Sequence, residues 1–152
     1  MGRSTGRGAR GPALFAAPLR QRRAERALIA RATQTTAIAV AYAEKAQWSF
    51  YEGRVRPADK LHPPWIEPND KQVLAGFEHL DAIASKGGRN GWIAGTTTIS
   101  QADVTTAIAY TFASTVRPGL DLAGRFHPLS QLTRRCEALP AFLKAPVPSI
   151  PR

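Results

Sequence analysis

The sequence predicts an all-α fold, a helical bundle of four main helices. Three observations carry that expectation. Apolar residues recur at helical spacing over long stretches without Gly or Pro. Ser100 and Asp103 have the spacing of a capping box and open a run, Val104 to Val116, that contains no charge. No stretch alternates apolar and polar residues as a half-buried strand does.

The first helix is predicted from about Leu19 to Tyr51, with Leu28, Ala32, Ile38, Tyr42 and Ala46 at helical spacing. Thr33, Thr35 and Thr36 lower the local propensity and predict a bend or break there. Gly53 and Pro57 end the helix, and residues 53 to 64, with Pro57, Pro63 and Pro64, form a loop. A second helix spans about Trp65 to Ala84, where Ile66, Val73, Phe77, Leu80 and Ile83 form one apolar stripe. Pro68 falls in its first turn, where a missing N–H does little harm. Ser85 to Gly91, with Gly87, Gly88 and Gly91, is a turn.

The third helix runs from Gln101 to about Val116. The Ser100 hydroxyl can accept from the Asp103 backbone N–H, and the Asp103 carboxylate can reach back to the Ser100 N–H. Ile99 and Val104 bracket the box at the spacing of a hydrophobic staple. With no charge after Asp103, this helix is expected to be central and buried. Pro118 stops it. A last helix begins near Pro128, with His127 as an imperfect cap, and ends around Leu139; the Pro-rich end from Pro140 wraps the surface. The expected organisation is a basic tail or truncated start over residues 1–18, a helical domain over 19–145 and a tail over 146–152.

The 152 residues suffice for one domain with a core, and 43% hydrophobic with 21% charged residues fits a globular protein. The longest charge-free runs are too short to span a membrane, which takes about 20 residues. The net charge of +10 invites a nucleic-acid reading, but residues 1–31 hold eight arginines against Glu25 alone, and the remaining chain carries only +3. The basic character belongs to the start of the chain, so nucleic acid is not the expected partner of the folded body. A weaker hypothesis remains in which the N-terminal arginines bind nucleic acid with a steep salt dependence. Residues 1–12 hold four glycines and almost nothing apolar, as a solvated tail does. The Arg-rich, acid-free start also has the composition of a mitochondrial targeting segment, but the tail reading, with a cytoplasmic protein, is preferred.

Candidate chemistry is sparse. Cys136 is the single cysteine, which excludes an intramolecular disulfide; it reads as a reduced thiol, although Arg134 and Arg135 would lower its pKa if all three shared a surface. His62, His79 and His127 lie on different elements without metal-ligand spacing, so no metal is expected. Gly6-Arg7-Gly8 and Gly87-Gly88-Arg89-Asn90-Gly91 lack the context of phosphate loops and read as tail and turn. Tyr42, Trp48, Phe50 and Tyr51 would make an aromatic wall for a ligand, with packing against the second helix as the preferred reading. Asp103 has no base, nucleophile or metal ligand beside it in sequence and reads as a structural cap.

The segment Trp92-Ile93-Ala94-Gly95 followed by Ser100, Asp103 and a charge-free helix resembles the signature of the C-terminal helical domain of glutathione transferases. Tyr51-Glu52-Gly53-Arg54-Val55-Arg56-Pro57 is similar to the end of the first helix of that domain in bacterial members, and Pro64-Trp65-Ile66-Glu67 to the start of the second. Phe126-His127-Pro128-Leu129 and Leu139-Pro140-Ala141-Phe142 resemble its closing helix. The set covers about residues 20 to 145. Thr33-Gln34 stands where bacterial relatives often carry Asp-Gly, and Pro68 replaces a usual helix former.

The resemblance implies conjugation of glutathione, as co-substrate, to an electrophile in a detoxifying transferase. It implies no catalytic residue in this chain, because the family's glutathione site lies in a preceding thioredoxin-like domain of which no pattern is found. It places the electrophile site on the inner part of the first helix, at Gln34, Thr35, Ile38 and Tyr42. The alternative is a non-enzymatic interaction or scaffold module. Either way, the face that would meet the thioredoxin-like domain is expected to bind a second copy or a protein partner, and a hydrophobic electrophile is the expected small ligand.

Overall fold

The structure, a computed structural model, describes residues 13–87 and 91–146. The readings placed on residues 1–12, on the 88–90 part of the glycine turn and on 147–152 lie outside the described residues. Six α-helices are described: α1 (Ala13–Val55), α2 (Pro63–Lys86), α3 (Gln101–Val116), α4 (Leu122–Arg125), α5 (His127–Glu137) and α6 (Pro140–Lys144), with 3₁₀ turns at Ala58–Lys60 and Pro118–Leu120. No strand occurs among the described residues. α1 packs against α2 and α3, and α5 packs against the same two helices.

α1 begins at Ala13, ahead of the expected Leu19, and runs through the threonines without a break. Packing outweighs propensity there: Thr35 is buried, and so is Ala39 one turn on. Gly53 lies inside the helix, and Pro57 follows its end. The core is formed by Val73, Phe77 and Leu80 of α2, Tyr110 and Ala113 of α3, and Leu129 and Leu132 of α5. Phe77 and Tyr110 meet edge to face, centroids 5.8 Å apart. α1 and α2 touch closely at one point, where a Cβ on Gly76 would lie 2.0 Å from the Tyr42 ring.

α3 departs from expectation. Lack of charge predicts burial all round, yet Gln101, Ile108 and Thr115 form an exposed strip seven residues apart, with Ile108 44% exposed. Uncharged Thr and Gln tolerate water, so absence of charge fixes only one buried face. The start of α5 also differs. Its N-cap is Phe126, with no side-chain cap, and His127 is already helical. Instead Asp81 of α2 accepts from the Leu129 N–H at 2.9 Å, satisfying a first-turn donor from a neighbouring helix.

Three further carboxylates join elements. Buried Glu52 accepts from the His62 N–H (3.1 Å) at the start of α2 and pairs with Arg56 Nε (2.7 Å). Asp70 holds Arg117, the C-cap of α3, through Nε (3.1 Å) and a second contact to Nη2. Asp103, fully buried, completes the capping box: its Oδ2 accepts from the Ser100 N–H (2.9 Å) and from the Ser100 hydroxyl (2.6 Å). Its Oδ1 accepts from the Ile93 N–H at 2.7 Å, so the same residue pins the 91–95 segment to α3.

Candidate functional site

A cavity of about 390 Å³ lies between α1, the last turns of α2 and the 91–95 segment. Arg31, Gln34 and Thr35 of α1 share one helical face (i, i+3, i+4) and form one wall. His79, Ile83 and Lys86 of α2 (i, i+4, i+7) form a second. Trp92, Ile93 and Gly95 close it. Thr35 and Ile93 are buried; Arg31, His79 and Lys86 are exposed. A ring-sized molecule thus finds apolar surface from Ile83, Trp92 and Ile93, and hydrogen-bonding groups from Gln34 and Thr35. That mixture of apolar lining with a few polar groups is typical of small-molecule sites.

Local chemistry explains why the 91–95 segment holds its shape. Gly95 has φ 76, a left-handed conformation suited to glycine, and its N–H donates to the Trp92 carbonyl at 2.9 Å. Arg135 of α5 stacks on Trp92, its guanidinium carbon 5.1 Å from the ring centroid, and also donates to the Gly91 carbonyl. Together with the Asp103–Ile93 bond, these contacts fix the segment from two helices.

Of the four residues expected at the site, Gln34 and Thr35 line this cavity. Ile38 is half-buried against the core, and Tyr42 sits on the Gly76 backbone of α2; neither lines it. The aromatic residues late in α1 do not form one wall either. Phe50 packs on the core, whereas Trp48 and Tyr51 are exposed and meet Trp65 at a shallow outer surface. His79, Lys86 and Trp92 also line the cavity, and the sequence reading does not place them there. The i, i+4, i+7 spacing of His79, Ile83 and Lys86 is a signal that they share a face, but Ile83 also fits the apolar stripe of α2.

Cys136 is fully buried with its Sγ 3.8 Å from the Asp103 carbonyl. Burial pushes its thiol up to about 11, and the nearby Asp103 adds to this, while Arg135 acts in the opposite direction. The activating arginine environment is therefore outweighed by desolvation. Among the described residues no group of three His, Cys, Asp or Glu side chains converges on a metal-sized site, and no helix is long and apolar enough to cross a membrane. Arg20, Arg22, Arg23 and Arg26 all lie on the exposed N-terminal part of α1.

A second feature is an apolar groove between α1 and α3, lined by Val40, Ala43, Ile108, Ala109 and Phe112, with Val40 and Ile108 each 44% exposed.

The architecture matches a glutathione S-transferase from Methylobacterium radiotolerans, solved in complex with glutathione sulfonate, with a TM-score of 0.71 over 82% of this chain at 20% identity. The chain has the fold of a glutathione S-transferase helical domain. It spans 56% of the length of that transferase. No family model matches the sequence, and no curated protein matches it.

Proposed function

We propose that the chain is the electrophile-binding helical unit of a glutathione transferase, with the α1–α2 cavity as its electrophile site. One observation carries this reading: on a transferase helical fold, Gln34 and Thr35 of α1 line a ring-sized cavity with apolar surface from Ile83, Trp92 and Ile93. Glutathione becomes a nucleophile when its thiol ionises, which takes a positioned donor near the sulfur. The cavity supplies binding and orientation for the electrophile. The donor that ionises glutathione is not assigned to any residue of this chain.

The test uses the purified 152-residue chain. It is expected to bind 1-chloro-2,4-dinitrobenzene in a calorimetric titration, with Thr35→Phe abolishing the binding by filling the cavity. It is expected to pass through a glutathione column and to form no conjugate. Absence of aryl halide binding refutes the electrophile site. Retention on glutathione with turnover refutes the assignment of thiol ionisation outside these residues.

A second reading, an interaction module, is favoured by the Val40–Ile108 groove, an uncovered apolar strip that a second copy or a protein partner would bury. Light scattering coupled to gel filtration tests self-association: a dimer that Ile108→Asp converts to monomer supports it, and a monomer at all concentrations removes the second-copy version.

A further inference from the structure

We propose that the ligand of the α1–α2 cavity carries an anionic group, so that the favoured electrophile is an aryl carboxylate or a ring bearing a similar compact oxyanion. This rests on the cavity reading above and adds the charge of what it takes. Three groups able to donate to an anion come together here from two helices: the Arg31 guanidinium, the His79 imidazole and the Lys86 ammonium. Among the described residues no carboxylate lines the cavity. The Glu52–Arg56 and Asp70–Arg117 ion pairs involve none of these three. The two cations, Arg31 and Lys86, facing one space repel each other until an opposite charge sits between them.

Placement supports the same conclusion. Arg31, His79 and Lys86 are exposed and so sit at the mouth, whereas Thr35 and Ile93 are buried and form the base. A ring seated against Ile83, Trp92 and Ile93 would leave its substituent among the three donors. Arg31 reaches the backbone of the 91–95 segment: its Nη1 lies 3.2 Å from where a Cβ on Gly95 would stand. The guanidinium is thus accommodated beside bare backbone at the cavity rim, where it can present two N–H groups to a carboxylate.

The experiment compares two probes that differ in charge. Isothermal titration of the full chain at low salt uses 3,5-dinitrobenzoate and its uncharged methyl ester. The benzoate is expected to bind about tenfold more tightly than the ester, as charge-assisted contacts at a partly exposed site allow. Arg31→Gln and Lys86→Gln should each weaken the benzoate about three- to tenfold and leave the ester unchanged. Circular dichroism of each variant confirms folding. An ester that binds as well as the benzoate overturns the anion preference and leaves the cavity as an electrophile site. Tighter benzoate binding that survives both substitutions places the anion elsewhere and overturns the assignment. If neither probe binds, the cavity reading falls together with it.

Discussion

Asp103→Ala is expected to be among the most damaging single substitutions in this fold, and the structure gives its size. The carboxylate is fully buried and accepts three hydrogen bonds, from the Ile93 N–H, the Ser100 N–H and the Ser100 hydroxyl. Alanine leaves the Ile93 N–H, which belongs to a buried residue, without an acceptor, at about 1–3 kcal/mol. It also removes the α3 cap, at about 0.5–2 kcal/mol. Relief from burying the carboxylate offsets part of this, so the expected loss is about 2–4 kcal/mol, a large share of a typical 5–15 kcal/mol. Asp103→Asn retains an acceptor for Ile93 but presents an NH₂ toward Ser100, and should lose about half as much. Ser100→Ala removes only the hydroxyl, leaving the N–H contact, and should lose about 1 kcal/mol or less. Urea unfolding followed by circular dichroism reads all three as midpoint shifts at constant m-value. An alanine variant within about 0.5 kcal/mol of the parent refutes the reasoning. So would Ser100→Ala costing as much as Asp103→Ala.

Gly76→Ala should destabilise by at least about 1–3 kcal/mol, because its methyl would overlap the Tyr42 ring; in the Tyr42→Leu background the penalty should shrink, which a double-mutant cycle measures. Cys136 should resist thiol reagents at pH 8 until the chain unfolds, since its thiol is raised to about 11 and stays protonated in the native state. The same shift sets a pH dependence. The native state holds the Cys136 proton to higher pH than the unfolded state, so this contribution is intact below pH 9 and is lost as pH rises from 9 towards 11. Burial also raises the Tyr110 hydroxyl, which acts in the same direction above pH 10. Cys136→Ala should flatten the Cys136 part of that alkaline decline in unfolding titrations. Arg117→Ala should cost about 1 kcal/mol, modest because the pair with Asp70 is partly exposed; equal stability with and without the pair in a double-mutant cycle would remove it from the α2–α3 connection.

Local features were legible in the sequence and distant pairings were not. The capping box needs only residues three apart, and helical spacing marks α2 and the long α1, so both appeared without coordinates. The other helix-end partners lie far apart in the chain: Glu52 with His62 across 10 residues, Asp70 with Arg117 across 47, and Asp81 with Leu129 across 48. Nothing in the local pattern says which carboxylate reaches which terminus. Short elements failed for another reason. α4 and α6 have four and five residues, too few for a periodic signal, and α4 starts from Asp121 in the left-handed region (φ 48), capped by its own carboxylate. At the cavity, Gln34 and Thr35 were reached through resemblance, while Ile38 and Tyr42 point into packing that only the α1–α2 crossing defines. His79 and Lys86 lie across that crossing and could not be matched to Arg31 from sequence alone.

The buried aspartate and the cavity are one problem rather than two. Asp103 Oδ1 holds the Ile93 N–H, and Ile93 with Trp92 and Gly95 forms one side of the cavity. From the other direction, Arg135 of α5 grips Trp92 and Gly91. The 91–95 segment has no regular hydrogen-bonded ladder of its own, so its position depends on these contacts from α3 and α5. A buried carboxylate that caps α3 therefore also positions the surface against which a ligand would rest. It follows that loss of the Asp103–Ile93 bond should weaken ligand binding even under conditions where the bundle stays folded. The Trp48–Trp65 surface, outside this support, should be indifferent to it. That difference separates a helix cap that merely starts α3 from one that also shapes the proposed site.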